Sequence, residues 1–264
     1  MRPRVSRASV LTKKGIMQEG ICKYCGQHVQ LIDSHIIPKS FYLLKQWGQC
    51  VGIDAKQIVL DKVHSQNGFK EPLLCKACDN KLGYLDNCAY QFLFHDVPRA
   101  ERCQDGLLEF LLLKPQDFNY NNIRRFFISL LWRASVSSNI PYSLGMYENI
   151  ALQILKHERT DSDNLFVPLI YRREINTNLD IVAGIMSKSV MGNIELCLGF
   201  PHYQVIFIKD FLANKDPELA QQLRPLFTRQ GIRVYCIKRP SVFEYAFLHT
   251  RQQLQTKYPR LKWH

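Results

Sequence analysis

Two pairs of cysteines give the clearest chemical signal in this chain of 264 residues. Cys22 with Cys25 and Cys75 with Cys78 each have C-x-x-C spacing. Thiolates two residues apart can bind one metal ion from a tight turn, and two such pairs give the tetrahedral four-sulfur site of structural zinc. The total of nine cysteines is odd, which argues against a disulfide framework. We therefore predict one structural Zn²⁺ on the four paired cysteines.

The stretch around these cysteines resembles a known family. After the first pair comes SHIIPKSFY, which contains His35, then Gln66-Asn67-Gly68, then LLCKACDNKLG, which opens a predicted helix. Over residues 21–92 this order resembles the HNH endonucleases, also called His-Me finger or ββα-metal nucleases. It is most similar to a bacterial subgroup with a Ser-His-Ile-Ile-Pro-Lys motif. The resemblance implies a finger in which zinc joins the ends, so that a strand carrying the histidine faces a helix carrying a metal ligand.

The resemblance also implies roles for individual residues. It makes His35 the general base, because a neutral imidazole can take a proton from water near pH 7. It implies a catalytic Mg²⁺ or Mn²⁺ that neutralises charge on the phosphate and the leaving oxygen. The candidate ligands of that cation are Ser34, Asp79, Asn80 and Asp86. Ser34 stands where most family members have a carboxylate.

Several of these positions have a second interpretation. Asp79 and Asp86 are seven residues apart and share a helix face, but Asp79 can instead stabilise the helix N-terminus. Asn67 is the candidate middle Asn of the motif, which ties the loop to the finger, although Asn-Gly is also an ordinary turn dipeptide. His28 and His64 are candidates to orient phosphate or complete a metal site, or are plain surface histidines.

The charge of the chain points to a polyanionic partner. The formal net charge is +12, which gives a positive field that attracts nucleic acid. Because this charge coincides with the cysteine and histidine motif, we predict DNA as the partner. The candidate contacts are Lys39 and the N-terminal residues Arg4, Arg7, Lys13 and Lys14.

The order of these features predicts an α+β protein in three parts. Residues 1–18 form a basic flexible tail, residues 19–100 a zinc-supported HNH-like domain, and residues 101–264 a mixed helix and sheet domain. The last part has no motif that assigns its role, and recognition, oligomerisation or regulation by another protein all remain open. The apolar run from Leu107 to Leu113 is far shorter than the ~20 residues of a bilayer span. With no secretory signal either, we expect a cytoplasmic protein.

Periodicity predicts the elements of the last part. Apolar residues recur with helical spacing from Asn121 to a point before Pro141. Arg124, Arg125 and Arg133 lie off this apolar stripe, and we interpret them as a solvated helix face. Strands are expected in LFVPLIYR, DIVAGIMSKS, IELCLGF, YQVIFIKDF and IRVYCIKR, and further helices over residues 217–228 and 242–255.

The sequence thus favours a metal-dependent endonuclease that hydrolyses DNA, with phage defence or restriction as a family-level association. One alternative is a zinc-stabilised nucleic-acid-binding module without catalysis. Another is a cysteine-based scaffold for protein contacts.

Overall fold

A mixture of helices and two β-sheets makes up the described part of the protein, in agreement with the predicted α+β class. The computed structural model describes residues 18–42, 70–106, 108–140, 142–159, 165–174, 185–187, 194–200, 202–208 and 227–237. Among the helices in these segments, none has the combination of length and apolar character that crossing a membrane requires.

A small antiparallel sheet and two helices form the first part. Its elements are β1 (Glu19–Ile21), β2 (His28–His35), α1 (Lys39–Tyr42), β3 (Lys70–Cys75) and α2 (Lys76–Gln91). The strand order is β1-β2-β3. His35 pairs with Lys70, and Leu31 pairs with Cys75. The β2–β3 pair therefore has His35 at one end, while the chain enters α2 from the other.

Helix α2 begins where the second cysteine pair predicts it. Cys75 is the N-cap residue, with extended backbone angles, and the helix follows directly. The buried residues Cys78, Leu82, Leu85 and Ala89 recur at the spacing of one helix face. That face packs into the core, so the same helix positions both a cysteine pair and the polar residues beside its buried stripe.

The second part forms a larger sheet with two helices. Its elements are β4 (Glu101–Asp105), β5 (Leu108–Leu113), α3 (Tyr120–Val136), α4 (Tyr147–Leu155), β6 (Val167–Arg173), β7 (Ile185–Ser187), β8 (Ile194–Phe200), β9 (Tyr203–Ile208), β10 (Phe227–Thr228) and β11 (Gly231–Ile237). The strand order is β4-β5-β11-β6-β9-β8-β7, and β10 pairs with β11. Of these pairs, β6 with β11 is parallel and the others are antiparallel. Short π-helical and 3₁₀ turns over Phe92–Asp96, Val97–Arg99 and Pro115–Asp117 complete the described elements.

The strand predictions are confirmed, and one helix prediction is wrong at its end. The five predicted strand segments overlap β6, β7, β8, β9 and β11, and β6 and β11 each extend one residue beyond the predicted run. Phe227–Thr228 is a strand, not the end of a helix, because it pairs back on Ile232 and Gly231 across a two-residue turn. Residues 217–226 and the predicted helix over 242–255 lie outside the described residues.

Helix α3 is confirmed, but the solvated face predicted for its arginines is wrong. Arg124 and Arg133 are only 2% and 3% exposed, and Arg125 is half-buried. The reason is that α3 packs against both α2 and α4, so more than one of its faces is covered. Ile128 and Trp132, which lie off the apolar stripe, are buried as well.

The buried apolar residues of both parts form one continuous core. At the junction, the rings of Tyr24 and Trp132 pack in a T-shaped arrangement with 5.9 Å between ring centroids. The Tyr24 hydroxyl donates to the Leu155 carbonyl at the end of α4, over 3.0 Å. The change from one sheet to the other falls between α2 and Glu101, close to the predicted boundary, and the core runs across it. The division into domains stays a prediction.

Candidate metal centre and histidine site

The four paired cysteines come together in the structure. Cys22 and Cys25 lie in the turn between β1 and β2, Cys75 ends β3, and Cys78 lies in the first turn of α2. Their sulfur atoms all lie within 4.8 Å of one another. Four sulfurs bound to one zinc at ~2.3 Å lie about 3.8 Å apart, so the four cysteines are close enough to bind a metal ion.

Backbone hydrogen bonds shape the turn that holds the first pair. The N–H of Gly26 donates to the Cys22 carbonyl at 2.8 Å, and the N–H of Cys22 donates to the Gln27 carbonyl at 2.9 Å. Gly26 has a φ of +76°, a left-handed conformation that glycine adopts without steric cost. A third bond, from the Lys23 N–H to the Leu73 carbonyl at 3.0 Å, ties this turn to β3. The turn is therefore held beside the second cysteine pair by main-chain groups.

The thiols of the cluster differ in acidity. Burial opposes ionisation of Cys22, but N–H groups of Cys25, Cys75 and Tyr24 outweigh it and lower the pKa of the Cys22 thiol to about 7. The Cys75 N–H donates to the Cys22 sulfur at 3.3 Å. Burial and the neighbouring thiols raise the pKa of Cys78. Because metal ligation requires thiolates, a bound cation would displace protons from this cluster.

His35 lies at the far end of the same two strands. It is the last residue of β2, it is half-buried, and it pairs with Lys70 at the start of β3. On the helix side, the Asp86 carboxylate binds the same guanidinium, that of Arg133, as the His35 carbonyl. The charge of His35 is among those that lower the pKa of the Asp86 carboxyl, so the imidazole and the carboxylate interact electrostatically.

Asp86 is bound by an arginine from α3. The Arg133 guanidinium donates to both Asp86 oxygens, at 2.6 and 3.1 Å. Burial raises the pKa of the Asp86 carboxyl, and the Arg133 charge opposes that rise. A catalytic cation on Asp86 would thus compete with a guanidinium that already occupies both carboxylate oxygens.

The other candidate ligands have different surroundings. Asp79 lies in the first turn of α2, is half-buried, and its charge raises the pKa of Asp86. The predicted placement of the two carboxylates on one helix face agrees with this coupling. Asn80 is exposed. Ser34 is only 1% exposed, and its hydroxyl donates to the Ile32 carbonyl at 3.3 Å, so it is turned into the protein.

Basic groups near His35 are exposed. Lys70 pairs with Asp33 across the two strands at 2.9 Å, with 39% of the lysine side chain exposed. Lys39 is exposed on α1, and His28 is exposed at the start of β2. The remaining predicted positions lie outside the described residues; they are Asn67, His64, Arg4, Arg7, Lys13 and Lys14.

Arg133 is the residue that the sequence interpretation missed. Its position off the apolar stripe suggested solvent, but the neighbouring positions Ile128 and Trp132 are apolar too. A helix that is apolar on more than one face is usually buried, and its few charged residues are then paired. This pattern in α3 is the signal that could have identified Arg133 as a buried, partnered cation.

No protein-family model, curated protein or solved structure matches this chain. Among the residues that the structure describes, the four cysteines are the one group of three or more His, Cys, Asp or Glu side chains close enough to share a metal ion.

Proposed function

We propose that this protein is a metal-dependent endonuclease of the HNH type that hydrolyses DNA phosphodiester bonds. One observation carries the proposal. The antiparallel strands β2 and β3 and the helix α2 bring the His35 carbonyl and the Asp86 carboxylate to one guanidinium, that of Arg133, while the four cysteines join the strand and helix at the other end. This order of two antiparallel strands and a helix supports the ββα-metal finger that the motif order implies.

In this proposal His35 is the general base. A half-buried imidazole at a strand end can accept the proton of a water molecule that attacks phosphorus. Asp86 lies on the helix side of that imidazole, and the exposed amine of Lys70 lies on the neighbouring strand, where it suits a phosphate oxygen. The four cysteines hold a structural Zn²⁺ that keeps strand and helix together.

The catalytic cation of the proposal, Mg²⁺ or Mn²⁺, would be held by Asp79. This carboxylate is half-buried, lies on the same helix face as Asp86 two turns earlier, and has the oxygen chemistry that a hard cation prefers. When bound, the cation supplies positive charge against the phosphate and the leaving oxygen. Asn80, exposed and one residue further along the helix, is the alternative oxygen ligand, whereas the buried hydroxyl of Ser34 is poorly placed for this role.

The choice of DNA is supported by the net charge of +12 and by the exposed lysines Lys39 and Lys70. Residues 101–264 supply target recognition, oligomerisation or regulation. A four-thiolate zinc site suits a reducing compartment, which supports the cytoplasm. Phage defence or restriction is the biological role that follows from this type of nuclease.

The test is cleavage of plasmid DNA by the purified protein with Mg²⁺ or Mn²⁺, compared with the same reaction in EDTA. Asp79→Ala should cleave more slowly, and a higher cation concentration should partly restore its rate. Asp105→Ala removes an exposed carboxylate from β4 and serves as the matched control, with the wild-type rate expected. If the cleavage rates of Asp79→Ala and Asp105→Ala depend equally on cation concentration, Asp79 does not hold the catalytic cation.

A second candidate function is a zinc-stabilised module that binds nucleic acid without cutting it. It is favoured by the surroundings of the oxygen ligands, since Asp86 is occupied by Arg133 and Ser34 is turned inward. This candidate predicts DNA binding that weakens steeply with salt, because lysine and arginine contacts release counterions, and no cleavage with either cation. Binding and cleavage measured on the same preparation separate the two.

A further inference from the structure

Arg133 is a buried cation that links three elements of the protein. Its side chain is 4% exposed. One terminal nitrogen donates to the His35 carbonyl at 3.0 Å and to Asp86 at 3.1 Å. The other donates to the second Asp86 oxygen at 2.6 Å and to the Ser129 hydroxyl at 3.2 Å. The guanidinium thus joins the end of β2, the middle of α2 and the last turns of α3.

The contact with His35 is to the main chain. A hydrogen bond to that carbonyl restrains the peptide on which the imidazole is mounted. Ile36 and Ile37, which follow directly, are each 1% exposed, so the chain is also packed on that side. The bidentate contact at the same time fixes the plane of the Asp86 carboxylate, because a guanidinium matches both oxygens in one geometry.

A buried ion pair of this kind is a poor source of stability. Removing two charges from water costs about as much as their attraction returns, and well-packed apolar replacements are often neutral. Stability alone therefore does not explain why position 133 is an arginine, because an apolar residue could fill the same space. Three directed hydrogen bonds to two groups at the His35 site explain it better.

We propose that Arg133 is a positioning residue for His35: its guanidinium holds the His35 main chain and the Asp86 carboxylate together. The inference rests on the proposed nuclease function. It also gives part of residues 101–264 a role in the site, since α3 reaches across the sheet boundary to complete it. Separation of residues 19–100 from α3 would leave His35 without this restraint.

The sharpest test replaces both partners with apolar residues. The double variant Asp86→Leu and Arg133→Met leaves no unpaired buried charge, so it should melt near the wild-type temperature. We expect kcat to fall roughly 10- to 100-fold with KM and DNA affinity unchanged, because the misplaced base affects the chemical step. A matched control is Arg125→Lys on the same helix, whose guanidinium donates over 2.5 Å to the Leu155 carbonyl at the end of α4. This control should lower the melting temperature and leave kcat unchanged.

A spectroscopic readout separates this inference from the nuclease proposal. In NMR spectra, the ring signals of His35 should shift or broaden in the double variant, while those of the exposed His28 stay constant. If wild-type protein cuts no DNA, the nuclease proposal fails alone, and the His35 signals still decide the positioning role. A folded double variant with the wild-type kcat, or with unchanged His35 signals, would overturn the positioning role of Arg133.

If the double variant does not fold, Arg133→Lys takes its place. A lysine keeps the positive charge but presents no planar fork, so it cannot bind both Asp86 oxygens and the His35 carbonyl together. The same loss of kcat and the same change in His35 signals are expected. If Arg133→Lys leaves both unchanged, charge compensation is the whole role of the residue and the positioning role is overturned.

Discussion

The two ends of the β2–β3 pair carry two different kinds of site. At one end, four cysteines from two short sequence pairs converge within 4.8 Å. At the other, Arg133 binds both the His35 carbonyl and the Asp86 carboxylate, and these two partners lie 98 and 47 positions before it in the chain. The first site has identical ligands at fixed local spacing, and the second depends on how α3 packs. A site can be predicted from sequence when its residues have a characteristic local spacing. It cannot be predicted in this way when the packing of distant elements brings its residues together.

The two sites also differ in what holds them. A structural metal site contributes its binding free energy directly to folding. The histidine site is held by hydrogen bonds and by the packing of α3, each of which contributes far less. Substitutions at the cysteine site should therefore lower stability much more than substitutions at the histidine site.

The largest expected effect is at the cysteine end. Cys75→Ser should lose bound zinc and the folded state together, because structural zinc sites contribute on the order of 10 kcal/mol. Metal analysis and thermal melting measure the two losses. Cys103→Ser is the control, since its half-buried thiol has a 3.9 Å contact with the Glu101 carbonyl two residues away and has no ligand spacing. Zinc loss with an unchanged melt would show that the four cysteines do not form a structural site.

The next effect is at the junction between the two parts. Trp132 is 1% exposed and packs on Tyr24. Trp132→Ala should destabilise the protein by about 3–5 kcal/mol, because it removes a large buried ring. Chemical unfolding measures this, and zinc content should stay at the wild-type level. A loss below about 1 kcal/mol would mean that α3 is not firmly packed on the cysteine unit.

A smaller, pH-dependent effect is expected at Glu71, which lies on β3 between the two sites. Its carboxylate accepts hydrogen bonds from Ser137 and Ser138, at 2.6 Å from each hydroxyl, and from Asn139. Burial alone would raise the pKa of Glu71, but these donors outweigh it and lower the pKa below its ordinary 4.5. Glu71→Gln should cost about 1–3 kcal/mol at neutral pH.

The sign of the pH dependence follows from the lowered pKa. The contribution of the Glu71 carboxylate is fully present above pH 4.5 and is lost as the pH falls through the folded-state pKa. The stability difference between wild type and Glu71→Gln should therefore shrink in acid. Glu19→Gln on the exposed side of β1 is the control, with little change expected at any pH. A difference that grows on acidification would contradict this assignment.

The smallest effect is at the ion pair between Lys70 and Asp33, whose side chains are 39% and 55% exposed. Asp33→Asn should change stability by about 0–1 kcal/mol, and salt should reduce even that, because solvent and ions screen exposed charges. Unfolding at low and high salt checks both points. A large, salt-independent loss would place this pair among the structural contacts of the histidine site.

The fold was predictable wherever the pattern was local. Helical spacing located α3, β-branched runs located β6, β8, β9 and β11, and C-x-x-C spacing located the cysteine cluster. Strands β4 and β5 were not expected, because β4 is largely polar and gives no apolar alternation. The helix predicted over residues 217–228 is wrong at Phe227–Thr228, because the pairing that makes these residues a strand comes from β11.

The histidine site was predictable only in part, for the same physical reason. His35 and the shared face of Asp79 and Asp86 follow from motif and helix geometry. The partnership of Asp86 with Arg133 does not, because it is decided by which faces of α3 the rest of the core covers. The inward turn of Ser34 likewise depends on the register shift between Ile32 and Asp33, which no local pattern records.

Replacing His35 tests the central claim most directly. His35→Ala should cut DNA cleavage ~10²- to 10⁴-fold, the usual contribution of a positioned general base, with zinc content, melting temperature and DNA affinity near wild type. His28→Ala, at the exposed start of the same strand, is the matched control and should cleave at the wild-type rate. A His35→Ala protein that cuts DNA as fast as wild type would contradict the nuclease assignment.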